Sequence, residues 1–257
     1  MVLVNAPAAP VPLSASSPDY TGYAEWKAWD ETGFMAPGSH ERSYYAAELR
    51  GHPLAGQPVL ELGFGNGGFL AWAREQGAIV HGTELQPDLA ALGTAAGIIV
   101  EPTDLSTLLP VARAKFALVA AFDVFEHFTV AELPPLLATI AELLADGGLL
   151  VARFPNGQSP FGRVPQHGDL THRAILSADI MRQLITPLPF DPVHLGNPAH
   201  PAGLVERVRR LVHRTLELAL QRLHGHDTPL APNRVAILRR RPRQDMARAP
   251  ATPHIQS

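Results

Sequence analysis

Cysteine is absent from the 257 residues, which removes disulfides, thiolate catalysis and cysteine-held metals together. Lysine is nearly absent as well, with Lys27 and Lys115 the only two. No apolar run approaches the roughly 18–20 residues that a membrane-crossing helix needs. Met1 to Ser17 carries no basic stretch, so a secretory signal is not expected. What is present suits one domain with appended arms. Apolar residues make up 46% and charged residues 18%, enough to fill a core and too apolar for a wholly disordered chain. The expectation is a cytoplasmic protein.

Net charge is only −3, but it is unevenly spread. Residues 1–200 hold 10 Lys+Arg against 20 Asp+Glu, while residues 201–257 hold 11 against 4. The acidic body argues against a nucleic-acid partner. The basic end suits an anionic surface, or simply a solvated helix and tail.

Residues 1–18 are rich in Ala, Pro and Ser and read as a disordered leader. Residues 19–50 follow as a helical segment whose Tyr20, Tyr23, Trp26, Trp29 and Phe34 would lay an aromatic face on the main domain, or serve as a lid. The domain itself is expected over 51–240, with a disordered tail over 241–257. Its middle alternates strand and helix, the pattern of a parallel sheet with crossovers. Strands are expected at Pro58 to Leu62, Ala78 to Thr83, Ile98 to Glu101, Phe116 to Phe122 and Leu149 to Phe154. A helix from Ala131 to Ala145 should stop at Asp146-Gly147-Gly148. Later come a capped helix at Ser177 to Ile185, a strand at Phe190 to Leu195 and a last strand at Val235 to Leu238. Residues 204–223 form a long amphipathic helix with an apolar line from Leu204 through Val208, Leu211, Val212 and Leu216 to Leu223, which would ordinarily lie on the sheet.

Four glycines in six residues follow the first strand, in Glu61-Leu62-Gly63-Phe64-Gly65-Asn66-Gly67-Gly68. Glycine lets the backbone turn sharply and lets a ligand approach the main chain, and the next helix offers free N–H groups. Gly63, Gly65 and Gly68 satisfy G-x-G-x-x-G, and Glu84 lies 19 residues beyond Gly65, so a dinucleotide is one reading. Glu61 and Asp104 favour another ligand. A diphosphate would not welcome a carboxylate facing the loop, whereas a cationic aminoacyl sulfonium would.

These residues resemble the class I S-adenosylmethionine-dependent methyltransferases, whose D/E-x-G-x-G-x-G pattern matches Glu61, Gly63, Gly65 and Gly67. The resemblance implies a Rossmann-like, doubly wound α/β fold with a mostly parallel seven-stranded sheet and an antiparallel last strand. It implies S-adenosylmethionine as cofactor, held by Glu61, the loop residues Gly63, Phe64, Gly65 and Gly67, Glu84 with Leu85 at the ribose, Asp104 with Leu105 at adenine, and Phe122. The segment Phe122-Asp123-Val124-Phe125-Glu126-His127 looks like the one after strand four in the broad group that includes ubiquinone-pathway enzymes.

The methyl acceptor would meet the ends of strands four and five. His127 and His172 are candidate bases, with Asp169 orienting His172. The Pro-, Gly- and His-rich residues 155–175 would form the acceptor-site loop. His167, Asp169 and His172 could hold a divalent ion, but three ligands in one loop with no fourth leave no metal as the expectation. The expected chemistry is O-methylation of a small molecule or a glycan- or lipid-linked acceptor, with N-methylation open, and with weak membrane-surface contact through 204–223, on the inner face. Two rivals stand beside it: an NAD(P)-dependent oxidoreductase, disfavoured by Glu61 and Asp104, and a non-catalytic methyltransferase-like binding module.

Overall fold

Val59, Leu60 and Leu62 are apolar and wholly buried, and the strand they belong to, β1 (Pro58–Leu62), pairs in parallel on both sides. A strand covered on both faces reads as a nearly continuous apolar run. In the computed structural model, which describes residues 20–27, 29, 31–199 and 204–243, β1 is the third strand of seven. The others are β2 (Ile79–Thr83), β3 (Ile99–Val100), β4 (Phe116–Phe122), β5 (Leu144–Pro155), β6 (Phe190–Gly196) and β7 (Asn233–Arg240). Their order is β3-β2-β1-β4-β5-β7-β6. Only β7 runs against its neighbours, pairing antiparallel with both β5 and β6. This is the doubly wound sheet with an antiparallel last strand that the family resemblance implied.

Helices cover both faces. Two short N-terminal helices, α1 (Tyr23–Trp26) and α2 (Ser39–Glu48), precede the sheet. The crossovers are α3 (Gly68–Glu75), α4 (Pro87–Ala95), α5 (Leu109–Ala112) and α6 (Leu133–Leu143). After β5 come α7 (Arg163–His167), α8 (Ala178–Ile185) and α9 (Leu204–His224). The period-two alternation of β4 divides the core: Val119 and Ala121 face Leu137, Ile140 and Phe154, while Leu118 and Ala120 face Phe69, Trp72 and Tyr45. Each fully buried aliphatic side chain contributes about 1.5–3 kcal/mol relative to exposure, which is why this sheet can hold a polar edge in place.

Three expectations are corrected. Asp146-Gly147-Gly148 does not terminate a helix at Ala145. α6 closes at Leu143, because Ala114 and Lys115 donate their N–H groups to Glu142 and Leu143 and draw Leu144 into register with Phe116. The register then shifts, and Gly147, at φ 79°, sits in the irregular start of β5. The aromatic helix near the N-terminus is a single turn, with Trp29 beyond its end. α9 does not lie on the sheet: Val208, Leu211, Val212, Leu216 and Leu223 are exposed. The capped helix is as expected, with Ser177 Oγ accepting from Ile180 N at 3.1 Å. The expected disordered leader, residues 1–18, and the tail beyond 243 lie outside the described residues.

Candidate active site

Because β1, β2 and β4 are parallel, their C-terminal ends meet at one edge of the sheet, where a crevice forms in folds of this kind. The glycine loop turns there. Gly65 (φ 52°) and Gly67 (φ 73°) occupy the left-handed region that side chains avoid. The loop is held from beneath: Gly65 N donates to Glu84 Oε2 at 2.9 Å and Gly63 N to Thr83 Oγ1 at 3.2 Å. Glu84 Oε1 also accepts from Gln86 N at 2.8 Å.

A cavity of about 270 Å³ opens over the loop. Of the residues expected at the cofactor, Glu61, Gly63, Phe64, Gly65, Glu84, Leu85 and Phe122 line it. Gly67 lies in the loop against Met35 and Phe34. Asp104 and Leu105 do not reach the cavity. Asp104 Oδ1 instead accepts from Ser106 N and Oγ, capping a short 3-10 turn, and Leu105 is core. A carboxylate two residues before a turn satisfies free backbone donors locally, and that competes with any ligand role.

The N-terminal segment closes the cavity from above. A Cβ on Gly65 would stand 2.7 Å from the Trp29 ring, so the indole lies directly on the loop. Met35 N donates to Asn66 O at 2.7 Å, and Gln86 Nε2 donates to Tyr20 O at 3.0 Å. On the far side, the Tyr23 hydroxyl donates to Asp169 Oδ2 at 3.0 Å and Lys27 Nζ stands 3.6 Å from the same oxygen. The segment therefore ties the glycine loop to residues 163–175. The aromatic spacing hinted at this cover; its attachment through Tyr23 and Lys27 had no sequence signal.

The cavity is rich in acceptors. Glu61 is buried and its Oε2 has no partner. Burial, and then the nearby Glu84, push its carboxyl well above the usual range, against the pull of Arg153. Arg153 itself donates to Asp123 through Nε at 2.9 Å and through its other fork arm. The lining thus offers carboxylates to a ligand bearing ammonium and hydroxyl donors, and leaves no uncommitted cation for a diphosphate on the Glu61 side.

His127 is the one expected catalytic residue that lines the cavity; Asp169 and His172 stand behind it. Its Nδ1 is 2.9 Å from Thr171 Oγ1, and that hydroxyl donates its single hydrogen to Asp169 Oδ1. His127 Nδ1 must then be the donor to Thr171, which leaves Nε2 bare. Burial, and then His172, lower the His127 ring to about 4, so it is neutral at pH 7. The two imidazoles meet edge to face with centroids 4.7 Å apart. Asp169 also accepts from Thr171 N at 2.9 Å. His167, at the end of α7, does not join the group. Thr171 links His127 to Asp169, a role with no signal in the sequence.

Residues 39–220 match a family model described as a methyltransferase domain. The chain belongs to this methyltransferase family. No curated protein matches it. Among solved structures, an S-adenosylmethionine-dependent methyltransferase from Archaeoglobus fulgidus is 20% identical, with TM-score 0.59, covering 78% of this chain and 94% of that one. One from Mesorhizobium loti is 18% identical with TM-score 0.54, covering 77% and 98%. The plantazolicin methyltransferase BamL, solved with a triazolic substrate analogue and S-adenosylhomocysteine, is 15% identical with TM-score 0.53, covering 86% and 90%. The methyltransferase is dependent on S-adenosylmethionine. The donor set agrees: the unpartnered Glu61 oxygen and Glu84 suit an aminoacyl and ribosyl ligand, and the nicotinamide alternative gives way.

Proposed function

We propose that this methyltransferase methylates an oxygen of a small-molecule or glycan- or lipid-linked acceptor, and that His127 receives the proton the acceptor loses. Bound in the cavity, S-adenosylmethionine supplies an electrophilic methyl carbon on a cationic sulfur. Glu61, Gly63, Phe64, Gly65, Gly67, Glu84, Leu85 and Phe122 would hold it. The chain's own part is to align the acceptor, exclude water and accept one proton. The observation that carries the reading is His127 at the cavity wall, its ring held by Thr171 and Asp169 in the tautomer that leaves Nε2 bare. His172 packs behind His127 and acts through it.

A second cavity of about 1000 Å³ shares Glu41, Tyr45 and Arg153 with the first. Arg207, Arg210 and Arg214, on one face of α9, also line it. Helical spacing turns the exposed apolar residues Val208, Val212 and Leu216 to the opposite face. This arrangement favours an acceptor with an anionic group and an apolar tail, reached at an anionic membrane surface by the helix lying in the interface.

The test is transfer of labelled methyl from S-adenosylmethionine to phenolic, sugar and lipid-linked hydroxyl acceptors. His127→Ala should lower turnover about 10²–10⁴-fold without weakening S-adenosylhomocysteine binding. Full activity in that variant would remove His127 from the mechanism.

A further inference from the structure

Glu126 carries the least satisfied carboxylate among the described residues. It follows β4 in the short turn Phe125–His127, is wholly buried, and neither of its oxygens has a hydrogen-bond partner. An ionised carboxylate out of water costs several kcal/mol unless something cationic meets it. What meets it here is His172 Nε2, at 3.9 Å from Glu126 Oε1. That nitrogen is not a donor. His172 Nδ1 lies 3.1 Å from the Gln166 carbonyl, which can only accept, so Nδ1 holds the proton and Nε2 presents a lone pair.

Two ring nitrogens with free lone pairs and a carboxyl that no donor reaches therefore converge. One nitrogen from each of His127 and His172 and one oxygen of Glu126 lie within 4.8 Å of one another. The 3.9 Å gap is too long for a hydrogen bond. It suits two ligands of one cation, since bonds of about 2.0–2.2 Å place neighbouring ligand atoms roughly 3–4 Å apart. The outer arrangement matches as well. Ligand histidines commonly give their other N–H to a carbonyl or a carboxylate-linked group. Here His172 gives its own to Gln166 O, and His127 gives its own to Thr171, which is bonded to Asp169. Asp169 Oδ2, 3.6 Å from His172 Nε2, is already engaged by Tyr23 and Lys27, which leaves Glu126 as the carboxylate ligand.

We propose that Glu126, His127 and His172 bind one first-row divalent cation, of the Mn²⁺ to Zn²⁺ series, at the wall of the cofactor cavity. Two imidazoles and a carboxylate select that series over Mg²⁺ and Ca²⁺, which prefer all-oxygen shells. The cation joins the turn after β4 to residues 163–175. Because His127 also lines the cavity, it brings a positive charge beside the place where an acceptor hydroxyl would ionise, and a metal-bound hydroxyl loses its proton far more readily than a free one. The proposal rests on the acceptor site described above and alters the part of His127 in it: with the cation bound, its Nε2 is a ligand and takes no proton, and the proton of the metal-bound hydroxyl leaves to solvent.

The test begins with the full chain dialysed against EDTA, then against micromolar ZnCl₂, MnCl₂ or CoCl₂, with metal counted by mass spectrometry. We expect close to one equivalent of at least one cation, visible d–d absorption with Co²⁺, and a rise in melting temperature. Glu126→Gln should bind at least about tenfold more weakly. In EDTA it should melt at or above wild type, since the uncompensated carboxylate is gone, and with Zn²⁺ that order should reverse. Wild type with less than a tenth of an equivalent of every cation overturns the site. So does a Glu126→Gln variant that binds as wild type does, because the metal then sits on other histidines. Thermal stabilisation by S-adenosylhomocysteine is read in parallel. Its loss in metal-loaded wild type would count against the cofactor cavity and not against the cation.

Discussion

Adding one methyl group at Gly65 tests whether the N-terminal segment truly seats on the cofactor loop. Gly65→Ala has two separable costs. Its φ of 52° is left-handed, which costs an alanine about 1–2 kcal/mol wherever it occurs. The new Cβ would also stand 2.7 Å from Trp29 Cη2 and 3.0 Å from Cζ2. An aromatic ring cannot be compressed that far, so Trp29 must swing away, carrying its packing against Tyr23 with it. Overpacking of this kind costs about 1–3 kcal/mol. The two terms part in a double-mutant cycle. In a Trp29→Ala background the steric term vanishes and the backbone strain stays, so Gly65→Ala should cost about 1–3 kcal/mol less there than in wild type. Urea unfolding gives the stabilities, and calorimetry with S-adenosylhomocysteine gives the matching loss of affinity. Equal costs in the two backgrounds would mean that Trp29 does not cover Gly65 in solution, and the closed cavity would fall with it.

S-adenosylhomocysteine at about 100 times its dissociation constant should stabilise the protein by about 2.7 kcal/mol, roughly 5–10 °C for a chain of this size, while NAD and NADP leave the melting temperature unchanged; a nicotinamide-induced shift would overturn the cofactor. Glu61→Gln should raise the melting temperature of the ligand-free protein near neutral pH and weaken S-adenosylmethionine binding at least about tenfold by calorimetry, because the amide is neutral without taking up a proton and cannot meet the ligand's cationic group. The same residue sets a pH dependence. Its folded pKa is raised, so the native state holds a proton that the unfolded chain releases, and this contribution to stability fades as pH climbs from the ordinary carboxylate range through the folded value. Melting curves of Glu61→Gln should decline less over that window, and identical slopes would refute the assignment. Replacing Arg207, Arg210 and Arg214 with glutamine should cut pelleting with anionic vesicles, at about 1 kcal/mol per residue, and leave the melting temperature in place because all three are exposed; unchanged pelleting would remove the membrane from the reading.

The strands of the parallel core could be anticipated because each had to be apolar throughout, whereas their order in the sheet came only from the family resemblance. Val59-Leu60 and Leu118 to Ala121 could be nothing else, and the glycines after β1 could serve only a tight turn. On the cofactor side the glycine loop and the family resemblance pointed to Glu61 and Glu84, and both line the cavity. Asp104 shows the limit of that logic: a carboxylate at a strand end can spend itself on Ser106 two residues later, and sequence spacing does not say which partner wins. The acceptor side was less legible because its contacts join segments far apart in the chain. Tyr23 reaches Asp169, His127 reaches Thr171, and Glu126 faces His172, with 146, 44 and 46 residues between partners. The segment after β4 showed Glu126 beside His127 but not that both faced His172, because a turn of three residues and an irregular loop have no periodicity to fix side-chain direction. What the residues did reveal was an excess of acceptors. Counting hydrogens at Thr171 and His172 turns that excess into an assignment of proton positions, and a buried cluster with no proton left to share is where a cation belongs.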